Sequence, residues 1–129
     1  MWPFRRGESA GRRGERLAVR ALRRAGHRIL ARNYRCPAGE ADVISLDRSA
    51  ELGETIVFTE VKTRSGGALA SPESAVDREK RKRLVRVARY YLAHHDTADR
   101  PVRFDVISVI LHGDAKPEIT HIPDAFDPY

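Results

Sequence analysis

The stretch Ile56-Val57-Phe58-Thr59-Glu60-Val61-Lys62-Thr63-Arg64 begins apolar and ends charged. Its β-branched and aromatic content predicts a strand over Thr55–Thr63. Alternate side chains on a strand share a face, so Glu60 and Lys62 emerge together, about 7 Å apart along the chain. A carboxylate and an ammonium closing an otherwise buried strand are costly unless paired or used. Upstream, Gly39-Glu40-Ala41-Asp42 leads into a second apolar run. Residues 48–54 between the runs are polar, so the two strands are expected to pair antiparallel through a short loop. That pairing would bring Asp42 beside Glu60 if the loop register allows.

The rest of the chain gives the remaining elements. Gly14 to Ala25 reads as a first helix with a stripe of Leu17, Ala18, Ala21, Leu22 and Ala25, ended by Gly26. Glu15 heads this stripe. Two readings stand there: a carboxylate favoured by the helix dipole, or one aimed at the metal-holding end of the sheet. His27–Tyr34 forms a first strand and Glu40–Asp47 a second, with Glu40, Asp42, Ile44 and Leu46 on one face and Ala41, Val43 and Ser45 on the other. Asp77 is the expected N-cap of a long second helix from Arg78 to about His95. Val102–Leu111 forms a fourth strand, Glu118–Ile122 a short edge strand, and Phe126 anchors the tail. The order helix, three strands, helix, strand predicts an α/β fold with a mixed sheet flanked by helices, not a doubly wound one. Residues 1–13 read as a mobile basic arm, with Trp2 and Phe4 either tucked onto the body or stacking on bases, residues 14–126 as one domain and 127–129 as a tail.

At 129 residues the chain suits one core. No apolar run approaches a membrane span, and Met1 to Arg6 lacks the apolar core of a signal peptide. Cys36 is the only cysteine, which excludes an intrachain disulfide and fits a reducing cytoplasm. The net charge of +6 is unevenly spread. Residues 1–35 carry eleven arginines against Glu8 and Glu15, and residues 78–89 carry seven basic side chains against Glu79. Residues 36–77 between them carry eight acidic and three basic side chains. Basic blocks around an acidic centre suit a protein that grips phosphates beside a metal.

An acid-x-Lys tripeptide occurs by chance about 0.5 times in such a chain, so the motif alone is weak. Asp114-Ala115-Lys116 is a second instance, set between Gly113 and Pro117 in a turn. Position separates the two. Asp42, Glu60 and the Val61 carbonyl are hard oxygen ligands suited to Mg²⁺ or Mn²⁺. Lys62 is placed to hold attacking water and to stabilise charge growing on a phosphate. The plainer reading of Glu60 and Lys62 is an exposed ion pair worth about 0–1 kcal/mol. The five histidines lack metal-ligand spacing. Gly-x-Ser-x-Gly, Gly-x-x-x-x-Gly-Lys and Gly-x-Gly-x-x-Gly do not occur, which disfavours serine hydrolases, nucleotide-triphosphate enzymes and dinucleotide oxidoreductases.

Gly14-Glu15, Arg32-Asn33-Tyr34-Arg35, Gly39-Glu40-Ala41-Asp42, Phe58 to Arg64, Ala75-Val76 followed by Lys80, and Arg103-Phe104-Asp105-Val106 together resemble the YraN-like family of small bacterial proteins. That family resembles a branch of the PD-(D/E)xK restriction-endonuclease-like superfamily, close to Holliday-junction resolvases. The resemblance implies a restriction-endonuclease-like core. It also implies catalytic roles for Asp42, Glu60, Lys62 and Glu15, and a phosphate contact at Lys80. Arg35, Arg64, Lys82 and Arg86 are the further candidate nucleic-acid contacts. The expected activity is metal-dependent hydrolysis of DNA, branched or damaged, with Mg²⁺ or Mn²⁺ as cofactor and DNA favoured over RNA. The alternative is a nucleic-acid-binding protein that keeps the fold without cutting. A homodimer is compatible with a two-fold junction.

Overall fold

The computed structural model describes residues 5–51, 53–66 and 78–128. Its elements are α1 (Ala10–Arg24), β1 (His27–Cys36), β2 (Gly39–Asp47), β3 (Thr55–Ser65), α2 (Arg78–His94), β4 (Val102–His112) and β5 (Ala115–Ile122). One five-stranded sheet runs in the order β1-β2-β3-β4-β5. The first three strands form an antiparallel meander, β3 and β4 are parallel, and β5 returns antiparallel. The expected mixed α/β architecture is therefore the observed one. None of the described helices is long and apolar enough to cross a membrane.

The two helices cover different core clusters. Leu17, Ala18, Val19 and Leu22 of α1 pack with Val43, Ile107, Val109 and Leu111. Leu84, Val87, Ala88 and Tyr91 of α2 pack with Ile44, Leu46, Ile56, Phe58, Phe104 and Val106. Central strands covered on both faces lose the apolar/polar alternation of a half-exposed strand, which explains the continuous burial from Phe104 to Leu111. Phe126 is buried and stacks on Phe104 with ring centroids 5.2 Å apart, so the tail is anchored as its composition suggested.

Two element starts and one buried stripe differ from expectation. Helix α1 starts at Ala10, not Gly14, because the Ser9 side chain accepts the Arg12 N–H at 3.2 Å and caps it. Residues 10–13 are thus helical, not part of an arm, and Arg13 is buried. Val19 replaces the exposed Ala25 in the buried stripe. Strand β5 begins at Ala115, not Glu118, so Asp114 lies in the tight turn after β4 while Lys116 is already on the strand. Trp2, Phe4, Ala75-Val76 and the Asp77 cap lie outside the described residues.

A polar network closes the end of the sheet remote from Lys62. Asp105 is wholly buried and accepts two bonds from the Arg103 guanidinium, at 2.8 and 2.9 Å. It also accepts from His121 Nε2 at 2.7 Å and from the Asp124 N–H at 3.0 Å. Arg103 reaches on to Asp47 at 2.9 Å, tying β2, β4, β5 and the tail together. Burial alone would raise the Asp105 pKa, but His121 and Arg103 hold it below the usual range. Truncating one member strands buried charge, so Asp105→Ala is expected to cost about 3–5 kcal/mol in chemical denaturation. Asp47 has the same character: burial opposes its charge, yet Ser49 and Arg103 lower its pKa to about 2. A depressed carboxylate stabilises the fold above its unfolded pKa, so this contribution is lost as pH falls from about 4 towards 2.

Candidate active site

The β2–β3 ladder ends at the pair Val43↔Thr59. Asp42 and Glu60 are next in register, where pairing stops. There the Asp42 carboxylate accepts the Val61 N–H at 2.8 Å, replacing a ladder bond with a side-chain bond. The face assignment within β2 needs one correction. Ala41 packs with Ile44 and Leu46 in the α2 core, although strict alternation puts it opposite them. Opposite Asp42 on β1 stands Asn33, between the pairs Arg32↔Val43 and Tyr34↔Ala41. Asn33 has φ 51°, a left-handed conformation that Asn tolerates better than most residues and that a regular strand does not contain.

Asp42 and Glu60 are both partly buried and face each other as a coupled pair. Burial raises the Asp42 pKa, with the neighbouring carboxylates Glu15 and Glu40 adding to it and the Val61 N–H opposing. Burial and then the Asp42 charge push Glu60 up to about 7. Glu60 also hydrogen-bonds Asp42, so the pair shares a proton held on Glu60. Lys62 emerges on the same side of β3. Its pKa is lowered, first by a side-chain contact with Lys80 and by that ammonium's charge. Lys80, near the start of α2, also lies close enough to Glu60 to lower its pKa. Two carboxylates and two lysines thus meet at one sheet end, although the lysines come from different elements.

A cleft of about 450 Å³ holds this group together with Glu15, Ser9, Gly11, Arg12, Val61 and Thr63. The earlier start of α1 puts Glu15 in the second turn, so the first-turn dipole reading no longer accounts for it. Glu15 instead accepts from Asn33 Nδ2 at 2.7 Å and sits 3.6 Å from Arg32. Helix α1 comes this close because Gly14 lies against Thr63, and a Cβ at residue 14 would overlap the Thr63 side chain. Gly14→Ala is therefore expected to cost about 1–3 kcal/mol and to lift Glu15 from the cleft. Adding Thr63→Ala should recover part of that loss in urea denaturation.

The other basic candidates are more scattered. Arg35 lines a second cleft of about 580 Å³ with Asp42, Glu60, Lys80 and Arg83, and sits 3.5 Å from Glu40. Arg64 is partly buried one pleat beyond Lys62. Lys82 and Arg86 are exposed on the outer side of α2 and do not line either cleft. A third cleft, of about 690 Å³, is rich in arginine, with Arg5, Arg12, Arg20, Arg23 and Arg32 among its walls. Sequence reading missed Asn33 and Arg83. An Asn inside an otherwise regular strand was the available signal for the first. Arg83 gave none, since its role depends on packing against Gly39, the first residue of β2.

Fold and site define a small α/β protein with an acid pair at the end of its central sheet, set among basic clefts. The chain belongs to the uncharacterised protein family UPF0102, whose model matches residues 14–109. It is 47% identical over 119 residues to a UPF0102 protein of Nitratidesulfovibrio vulgaris, covering 92% of this chain and 84% of the relative. It is 43% identical over 120 residues to one from Geobacter metallireducens, with 93% of each chain covered. It is 48% identical over 101 residues to one from Moorella thermoacetica, covering 78% of this chain and 80% of that protein.

Proposed function

We propose that the protein is a metal-dependent nuclease of the PD-(D/E)xK type that hydrolyses phosphodiester bonds in DNA, branched or damaged DNA included. The observation that carries this reading is the Asp42–Glu60 pair, two partly buried, hydrogen-bonded carboxyl groups in one cleft with Lys62 and Lys80. Carboxylates crowded in this way are relieved by a divalent cation. Among the described residues no three Asp, Glu, His or Cys side chains gather as a metal cage. Mg²⁺ and Mn²⁺ are commonly held by one or two carboxylates, with substrate and water supplying other ligands. Asp42, Glu60 and the Val61 carbonyl would hold the ion. When bound, such an ion supplies Lewis acidity toward a phosphoryl group and acidifies water.

The remaining work falls to the protein's own groups. Lys62 and Lys80 together form a pocket of positive charge for a phosphate, and their mutual repulsion eases when an anion enters. Lys62 is also placed to hold an attacking water and to stabilise the charge that grows on the phosphate. Glu15, fixed by Asn33, orients groups on the α1 side of the cleft. The arginine-rich cleft supports a second reading, a nucleic-acid-binding protein that does not cut, because it could grip phosphates without metal.

The test is incubation with Mg²⁺ or Mn²⁺ and a panel of duplex, flap, junction and single-stranded substrates. Cleavage is expected, with Lys62→Ala slower by about 10²-fold. No cleavage of any substrate, or equal cleavage by Lys62→Ala, contradicts the nuclease reading. Metal-independent, salt-sensitive binding without cleavage favours the second.

A further inference from the structure

The outer side of α2 carries a feature that the catalytic cleft does not use. Lys82, Arg86, Tyr90 and His94 follow at four-residue spacing and so form one ridge. Lys82, Arg86 and His94 are exposed and Tyr90 is partly so. Arg83, one helical turn from Arg86, is a wall of the cleft that holds Asp42, Glu60 and Lys80. Arg83 thus links that cleft to the flank of the ridge, which runs on towards the C-terminal end of α2.

It ends in a ring stack. The Tyr90 and His94 rings lie 4.0 Å apart between centroids, at 18° between planes. His94 Nδ1 lies 2.7 Å from the Tyr90 carbonyl oxygen. A carbonyl can only accept, so Nδ1 carries the proton and the imidazole is fixed parallel to the phenol. The neighbouring pair Tyr91–His95 has nearly the same geometry, but there Tyr91 is buried and Tyr34 packs edge-on against both rings. His95 makes the same Nδ1–carbonyl contact at 2.9 Å, so the helix end orders both stacks, and of the two tyrosines only Tyr90 reaches solvent. The outer pair sits at the end of a cationic ridge, where an ordered aromatic face meets solvent.

Cations that track a backbone, followed by a fixed π-face, recognise unpaired nucleotides. Aromatic stacking accepts any base, whereas a duplex hides its base faces within its own stack. We propose that α2 binds a single-stranded flank of the nucleic-acid substrate, with phosphates along Arg83 and Arg86 and a base on the Tyr90–His94 stack. This rests on the nucleic-acid reading above and narrows it to substrates with a single-stranded segment. Arg83 to Tyr90 spans two helical turns, about 11 Å. At a stacked spacing of about 3.4 Å, the stacked base lies roughly three nucleotides beyond the phosphate at Arg83.

The test measures binding of the full chain in metal-free buffer at low salt, so that cleavage does not intervene. The probes are a blunt duplex and the same duplex with a short single-stranded tail carrying 2-aminopurine at successive positions. The tail is expected to raise affinity about tenfold. Tyr90→Ala and His94→Ala should each remove that gain and leave blunt-duplex binding unchanged, and Tyr90→Phe should keep it. 2-Aminopurine fluorescence should be quenched at one tail position, and the alanine variants should lose that quenching. Because His94 is exposed, its variant keeps the core intact. A tail that adds no affinity overturns this proposal alone. So do alanine variants that weaken blunt and tailed binding equally. Failure to bind any nucleic acid overturns both this proposal and the reading on which it rests.

Discussion

Glu60→Gln is expected to abolish most cleavage while making the metal-free protein harder to unfold. The two effects share one cause. Glu60 is a partly buried carboxyl beside Asp42, and its pKa is pushed from 4.5 to about 7. A carboxyl with a raised folded pKa binds its proton more tightly in the folded chain than in the unfolded one. Its contribution to stability is present below about 4.5 and is lost as pH rises through about 7. Gln carries no charge, keeps the size of Glu, and can donate an N–H to Asp42. Above neutral pH the variant should gain about 1–3 kcal/mol, a value reduced from the bare pKa shift because the site is partly open to water. The wild-type decline in stability between pH 4.5 and 7 should flatten in the variant. Meanwhile the loss of the ligand's negative charge removes several kcal/mol of transition-state stabilisation, so cleavage should fall by about 10³-fold. A structural carboxylate would give the opposite stability result.

Mn²⁺ affinity should depend on the same proton. A divalent ion at Asp42 and Glu60 must displace the proton held on Glu60. Below about 7 the apparent affinity should therefore rise about tenfold per pH unit, and above it the dependence should level off. Bound ion should also raise the unfolding temperature, because it binds the folded state and not the unfolded one. Calorimetric titration at several pH values measures both the affinity and the proton released. Asp42→Asn and Glu60→Gln should each abolish the binding. A site formed elsewhere would show neither the pH slope nor this sensitivity.

The fold was legible where pattern and physics agree. Thr55 to Thr63 shows apolar character ending in charge, and the short polar loop before it dictates the antiparallel turn back to β2. The short loop put Asp42 beside Glu60 only if its register allowed, and the observed register sets them one step past Val43↔Thr59. What was not legible depended on a single local event or on a distant element. A serine cap moved the α1 start four residues upstream and carried Glu15 out of the first turn. Ala41 packs on the face opposite to the one that strict alternation assigned it, next to Asp42 and the left-handed Asn33 across from it on β1. The contact between Lys62 and Lys80 joins a strand end to a helix start, a pairing that no periodicity encodes. Asp105 read as one more strand residue, because its burial depends on Arg103 and His121 arriving from either side of it in the sequence.

The central claim is that Asp42 and Glu60 share one catalytic divalent ion. The most direct measurement is an anomalous-difference map from crystals of the protein soaked with Mn²⁺ above pH 7. The account predicts one strong peak between the two carboxylates, within ligand distance of the Val61 carbonyl, that disappears in Glu60→Gln. A map with no peak there, or a peak that persists in Glu60→Gln, would contradict it.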